Sequence, residues 1–490
     1  MHSRGHSMRN GALHTTHCHW SSVCKPTLAV RPRPAVARRS SAAADAASTA
    51  PAVDGAAGGE AAPAADAAAS GGREQGREQQ QAPWEPPPIS QHVLERNAEL
   101  RAKLEGQLIL APLTRGCHVP FRRLCADFGA EVTFGEMAFA RGLIKGDRVE
   151  RARLVKAPNE ACFGVQIATN QISEGVAAAK LAKEAGASFV DLNCGCPIRE
   201  ATRRGLGAVL LRKPTKLARL VAGIVAGSDL PVTVKIRTGE NDSKINAAAV
   251  AELMERAGAA AVTIHGRTME QRYKKAADWS LISEVAAARS IPVIGNGDIL
   301  TLYEARDRAA RRGAAALMVG RGALIKPWVF QEYKEGREIS LDARERVGVY
   351  RQLVAHMKEH FRDDARGKKS AFYFLPWHFA WFHRYRAFPS ETYSEASRQH
   401  PLIATRIDLA DPLVGETEEG LPLLERLLRS DHEAAHLAIA DAIWDATSDA
   451  DAAAALERLA AAELGGWEAE ARAGRGRASG GSSSAEAERG

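Results

Sequence analysis

The chain has 490 residues and a mass of 52.6 kDa, with 66 Lys and Arg against 59 Asp and Glu, a formal charge of +7 and a pI near 9.0. At 45% hydrophobic and 26% charged residues, most of it can bury a core, which excludes a wholly disordered chain. Cys18, Cys24, Cys117, Cys125, Cys162, Cys194 and Cys196 are too few and too odd in number for a disulfide scaffold, and no run of about 18 uncharged apolar residues offers a transmembrane helix.

The first 44 residues hold no Asp or Glu but carry Arg4, Arg9, Lys25, Arg31, Arg33, Arg38 and Arg39, and an Ala-rich stretch follows. This is the composition of an organelle transit peptide, so a plastid or mitochondrion is the expected destination, with cytoplasm or nucleus as the alternative. The spacing between His14 and Cys24 fits no familiar zinc pattern, and no metal is expected. The Ala-, Gly-, Gln- and Glu-rich run to about residue 83 reads as a linker.

From Gln107 a rhythm sets in. Short apolar runs recur at LILAPLT, VTFGEM, CFGVQI, FVDLNCGCP, VTVKIRTG, AVTIHGR, IPVIGNGDI and ALMVGRGAL, separated by helix-like stretches such as GVAAAKLAKEAG. Near-continuous apolar strands alternating with helices mean a parallel sheet covered on both faces. Eight such units match one (β/α)8 TIM barrel of the α/β class, whose usual size is about 250 residues. The expected layout is a leader and linker over 1–83, a barrel over 84–339, a helical domain over 340–446, and a helical extension with a disordered tail over 447–490. The segment from Phe372 to Phe388 is dense in aromatics and reads as helix core. Between Arg344 and Arg386 ten Lys and Arg face four Asp and Glu, which favours a polyanionic partner.

The chemistry-bearing residues fall at the C-terminal strand ends, the face that carries barrel active sites: Thr114, Glu136, Gln166, Asn193, Cys196, Lys235, His265, Asn296 and Arg321. The Gly295–Asp298 and Gly320–Gly322 stretches end the seventh and eighth strands, the recurring phosphate site of this fold, where bare backbone approaches phosphate oxygens. Lys235 ends an apolar run. It either makes a salt bridge across the mouth or stands beside a ligand that gains negative charge. Cys196 lies beyond the strand end and is the better candidate for reactivity, whereas Cys194 reads as packing.

The ordered set APLT, FGVQI, DLNCGCP, VKIRTG, HGR, GNGD and GRGALIKPW resembles the flavin-dependent tRNA-dihydrouridine synthases. HGRTMEQRYKKAADW and RGALIKPWVF are most similar to the tRNA-dihydrouridine(47) synthase branch. The resemblance implies FMN as cofactor, NADPH as reductant and uridine in tRNA as substrate; separately, no membrane or protein partner is expected, and the chain is expected to be a monomer. By position it implies that Pro112, Leu113 and Thr114 line the flavin and that Gln166, Lys235 and His265 bind its ring system. Asn296, Gly297, Asp298, Gly320 and Arg321 then hold the phosphate region, and Cys196 gives a proton to uracil. The rival readings are a flavin barrel that reduces a small molecule and a non-catalytic RNA-binding barrel.

Overall fold

A computed structural model of the chain describes residues 84–311, 313–404 and 420–478. The expected leader, the linker, the stretch His14–Cys24 and the last residues of the tail lie outside the described residues. Eight parallel strands form the centre: β1 (Leu108–Leu110), β2 (Val132–Phe134), β3 (Cys162–Ala168), β4 (Phe189–Cys194), β5 (Val232–Arg237), β6 (Ala261–His265), β7 (Val293–Asn296) and β8 (Ala316–Val319). Each pairs with its successor, and β8 returns to β1 through Leu108↔Leu317 and Leu110↔Val319, closing the (β/α)8 barrel. A two-residue strand, Ala138–Phe139, extends the pairing at the C-terminal end of β3. All seven residues of β3 are buried, as a parallel strand covered on both faces requires.

The barrel interior is apolar below and polar above. Ile109, Phe134, Phe189, Ala261, Ile294 and Met318 fill the lower part together with Leu100 and Leu104. Those two leucines come from the helix Gln91–Leu104, which caps the N-terminal face. Its Asn97 donates to the Gly258 carbonyl at 3.0 Å and its Arg101 to the Ala260 carbonyl at 3.2 Å, the last backbone groups before β6. Phe189 is the bulk of the layer, and it meets Phe134 edge-on at 5.0 Å. Gly164 stands across from it on β3, where a Cβ would fall 2.2 Å from the Phe189 ring.

The remainder is helical and packs on one flank of the barrel. The helix Ala343–Phe361 lies against the barrel helix Val119–Asp127, and Leu375–Phe382 lies against Arg321–Ile325, directly after β8. The aromatic segment is mostly core: Leu375, Phe379, Phe382, Tyr385 and Phe388 are buried, and Tyr350 stacks on Phe382 at 4.4 Å. Two buried histidines, His118 of the barrel and His378 of the helical part, meet at 2.7 Å.

Two details depart from the sequence reading. The helix Asp449–Ala478 carries past Gly474, where a tail is expected; an Ala- and Glu-rich run propagates a helix already held by packing against its neighbours. The basic surplus between Arg344 and Arg386 is also largely neutralised. Arg344 pairs with Glu457, Arg346 with Glu425, Arg351 with Asp449, Lys358 with Asp363, Arg362 with Asp364, and Lys368 with both Asp441 and Asp445. Most of these acids arrive from helices later in the chain, so a local count overstates the free charge. Among the described residues Arg366 and Lys369 are exposed and make no ion pair.

Overpacking of the interior gives a direct check. Gly164→Ala is expected to lower stability by about 1–3 kcal/mol by driving a methyl into the Phe189 ring. Adding Phe189→Leu should recover part of that loss, because residues in contact are not additive. Urea midpoints of the wild type, both single variants and the double variant test this; strict additivity rules the contact out.

Candidate active site

Above the apolar layer, strand register brings the polar side chains into one ring. Gln166 lies opposite Asp191, Asp191 opposite Thr233, Asn193 opposite Lys235, Lys235 opposite Thr263, and His265 opposite Asn296. Successive strand residues alternate in face. Phe189, Asp191 and Asn193 therefore point inward, while Val190, Leu192 and Cys194 pack outward among the helices. The two neighbouring cysteines are thus separated. Cys194 is fully buried and its thiol is pushed well above the usual range by burial. Cys196 is half-buried in the loop after β4, its N–H donating to Asn193 Oδ1 at 2.9 Å and its C=O accepting from Ala208 at 3.0 Å. Burial raises the Cys196 thiol as well, partly offset by the Ile198 amide and by Arg237 and Lys235, so it keeps its proton at neutral pH.

Lys235 donates to Asn296 Oδ1 at 2.9 Å, and Asn296 donates in turn to the Met318 carbonyl at 2.8 Å. Among the described residues no carboxylate lies within ion-pair reach of Lys235, so it makes no salt bridge across the mouth. Burial, followed by repulsion from Arg237, pulls its pKa down to about 7. His265 is pushed well below the usual histidine range by burial and by Arg237, Lys235, Arg267 and Arg321, which makes it a neutral imidazole with one donor and one acceptor. Gln166 is buried, donating to Asp191 and accepting from Asn193.

The other half of the mouth is built on arginine. Asp298 receives Arg267 on both oxygens at 2.7 and 2.8 Å, Arg321 at 3.3 Å and the Ala277 amide at 2.7 Å. Its carboxylate is therefore consumed in aiming two guanidinium groups, and it is those groups that can meet a phosphate. Gly297 has φ +136° and Ala277 Cβ would lie 2.6 Å from a Cβ there, so only glycine fits. Gly320 and Arg321 open the short helix after β8, whose first amides lack intrahelical acceptors. Pro112 and Leu113 are half-buried and Thr114 exposed in the loop after β1. Three of the four non-glycine residues with positive φ among the described residues, Arg115, Arg272 and Asp298, stand in these mouth loops, where strained backbone tends to gather.

Several members of this constellation were not singled out from sequence. Arg237 donates to the Gly195 and Thr268 carbonyls at 2.7 and 2.9 Å and ties two mouth loops together. Arg321 lies 4.1 Å over the ring of Tyr273, which is 54% exposed at the rim. Asp191 and Thr233 share a 2.7 Å hydrogen bond beneath the ring. Inward alternation from Asn193 and Lys235 would have flagged both, and Arg267 and Arg237 stand within the HGR and VKIRTG stretches. Thr263 Oγ1 and Arg267 Nη1 are buried without a hydrogen-bond partner among the described residues. A lysine without an ion pair, two orphaned polar atoms and paired arginines fit a ligand that has both a hydrogen-bonding ring and a phosphate.

The family model described as Dihydrouridine synthase (Dus) matches residues 109–409, more than half of the chain. The human protein named tRNA-dihydrouridine(47) synthase (NAD(P)(+))-like is 40% identical over 286 residues, covering 56% of this chain and 43% of that protein. The tRNA-dihydrouridine(47) synthase (NAD(P)(+)) of Coprinopsis cinerea is 40% identical over 285 residues, covering 54% of this chain and 42% of its own. The chain therefore spans less than half the length of these relatives. On the matched span and the closed barrel together, the chain belongs to the dihydrouridine synthase family.

Proposed function

We propose that this chain reduces the C5=C6 bond of uridine in tRNA to 5,6-dihydrouridine, acting as a monomer with FMN bound in the mouth of a catalytic barrel (84–339) and NADPH as reductant. The observation that carries this is Lys235, half-buried in the upper part of β5 with Asn296 as its acceptor and, among the described residues, no carboxylate within ion-pair distance. A lysine left so costs free energy unless an electron-rich group comes beside it. When bound and reduced by NADPH, FMN would supply the hydride that goes to C6 of uracil. Gln166 and neutral His265 offer hydrogen bonds to its ring system, Lys235 offers charge, and Arg267 and Arg321, aimed by Asp298, offer a phosphate clamp. Pro112, Leu113 and Thr114 line the ring from the β1 loop, and Asn296, Gly297 and Gly320 complete the phosphate side. Hydride at C6 demands one proton at C5. Cys196 keeps its thiol proton at neutral pH and delivers it there, then regains a proton from water. The target base leaves its stack to reach the mouth. The names of the human and fungal relatives support the same reaction.

The two cysteines test the assignment. Purified protein is expected to be yellow and to form dihydrouridine in tRNA with NADPH. Cys196→Ala should keep FMN and its reduction by NADPH, yet lose about 10²–10⁴-fold in transfer to tRNA, the usual worth of a positioned acid. Cys194→Ala, which changes only outward packing, should cost far less. Single-turnover oxidation of reduced flavin by tRNA compares them, and a dead Cys194→Ala beside an active Cys196→Ala overturns the role.

Among the described residues, exposed cations without an ion pair stand both on the mouth segments, at Arg199, Arg203, Arg272 and Lys274, and on the helix Ala365–Ala371, at Arg366 and Lys369. Neutralising Arg366 and Lys369 together should weaken tRNA binding and reduce the slope of log affinity against log salt by up to about 2, one per phosphate contact. Lys368, held by Asp441 and Asp445, should show no such change of slope. An unchanged slope in the double variant assigns the helical site to plain solvation.

The acid-free, arginine-bearing leader supports delivery to a plastid or mitochondrion. A fluorescent reporter fused to residues 1–80 should enter one of these organelles, and a diffuse cytoplasmic or nuclear signal decides against import.

A further inference from the structure

Asp191 is a buried charge that the proposed chemistry leaves unused. It lies on β4 directly above the Phe189 layer and has no solvent exposure. Its Oδ1 accepts from Thr233 Oγ1 at 2.7 Å and its Oδ2 accepts from Gln166 Nε2 at 2.7 Å. Gln166 Oε1 then accepts from Asn193 Nδ2 at 2.7 Å, and Asn193 Oδ1 accepts the backbone N–H groups of Gly195 at 3.2 Å and Cys196 at 2.9 Å. One continuous chain of hydrogen bonds runs from the floor of the site to the amide of the proposed acid.

The direction of that chain is set at its base. A carboxylate only accepts, whereas a primary amide has one accepting and one donating end. With Asp191 ionised, Gln166 must turn its NH2 downward and its oxygen toward Asn193. Asn193 must then give its NH2 to Gln166 and its oxygen to the loop. If the base became a donor, each amide above it would face a like group or turn over, and the Cys196 N–H would lose its acceptor. The backbone at Gly195 is held from its other side by Arg237, on the Gly195 carbonyl at 2.7 Å. The Ala208 amide holds the Cys196 carbonyl at 3.0 Å, and the contact from Asn193 is the anchor on its N–H side that helps set where the Cys196 thiol stands.

We propose that Asp191 is a positioning residue of this site: its carboxylate sets the hydrogen-bond polarity of Gln166 and Asn193, and through them fixes the backbone that presents Cys196. The role of Cys196 rests on the reaction proposed above, but the relay is read without it. Burial raises the Asp191 pKa to about 6, against the hydrogen bonds of Gln166 and Thr233 and the charge of Lys235, so the group remains an acceptor at neutral pH.

The test is a charge relocation, read at Cys196 itself. In the full FMN-loaded chain, alkylation of Cys196 by iodoacetamide is followed by peptide mass spectrometry at fixed pH. Asp191→Leu, of similar volume, leaves Gln166 without an acceptor and should change that rate by about 10-fold or more and lower dihydrouridine formation through kcat rather than KM for tRNA, as misplacement of a reacting group does. The double variant Asp191→Leu with Gln166→Glu moves the carboxylate one step up the chain and restores an acceptor for Asn193. Its alkylation rate should return to within about twofold of wild type, although its flavin chemistry need not. An alkylation rate unmoved by Asp191→Leu overturns the proposal, whatever happens to the melting temperature. If Asp191→Leu does not fold, a double variant that folds without the wild-type rate overturns it equally, and one that folds with that rate supports it. A wild type that makes no dihydrouridine sinks the proposed reaction and leaves the alkylation comparison standing.

Discussion

Between Phe189 and Asp191 the interior of the barrel changes from hydrocarbon to charge within two residues of one strand, and the site depends on that boundary. Below it, ring packing needs no partners and is closed off by the helix Gln91–Leu104. Above it, the buried polar atoms must each find a complement in the barrel or in a ligand. The side chains nearest the boundary satisfy one another: Asp191, Thr233, Gln166 and Asn193 close on themselves. Those nearer the mouth do not, and Lys235, Thr263 Oγ1 and Arg267 Nη1 are left wanting. A binding site is where such complementation is incomplete.

The same reasoning separates cations that hold structure from cations that can meet a polyanion. In the helical region at least six of ten basic side chains between Arg344 and Arg386 are consumed by acids among the described residues, most of them from more distant helices. These pairs knit the helical layer together and offer little to a phosphate. The aromatic segment behaves likewise: Phe379, Phe382 and Tyr385 form core against Tyr350 and Trp328, not a platform for bases. This layer joins the mouth at the helix after β8, on which Leu375–Phe382 packs, and at the β1 loop, where His118 meets His378 and Arg115 lies over Tyr373 at 4.5 Å.

Much of the architecture was legible because it rests on local periodicity. Eight apolar runs alternating with amphipathic stretches force parallel strands and outer helices, and the right-handed crossover leaves closure as the favoured arrangement of eight equal units. That polar residues gather at strand C-termini follows from the same count, and so did the convergence of Gln166, Lys235, His265 and Asn296. The distinction between Cys194 and Cys196 was also available, since strand parity sends the first outward and the strand end frees the second.

Other features depend on partners distant in the chain. Asp298 sits in a glycine-rich phosphate loop and reads as a ligand residue, but Arg267 and Arg321, from the neighbouring strands β6 and β8, claim its carboxylate. Lys235 reads equally as half of a salt bridge or as a waiting cation, and only the absence of a carboxylate within ion-pair distance among the described residues decides. Asp191 looks like one more strand residue until register sets it against Gln166 and Thr233. The sequence by itself determined the barrel, its polar mouth and the family resemblance, because periodicity and short motifs are local. Which charges are spent and which remain for a ligand was decided by tertiary structure, because a charge is neutralised by whatever the fold brings within a few ångströms, and sequence distance does not record that.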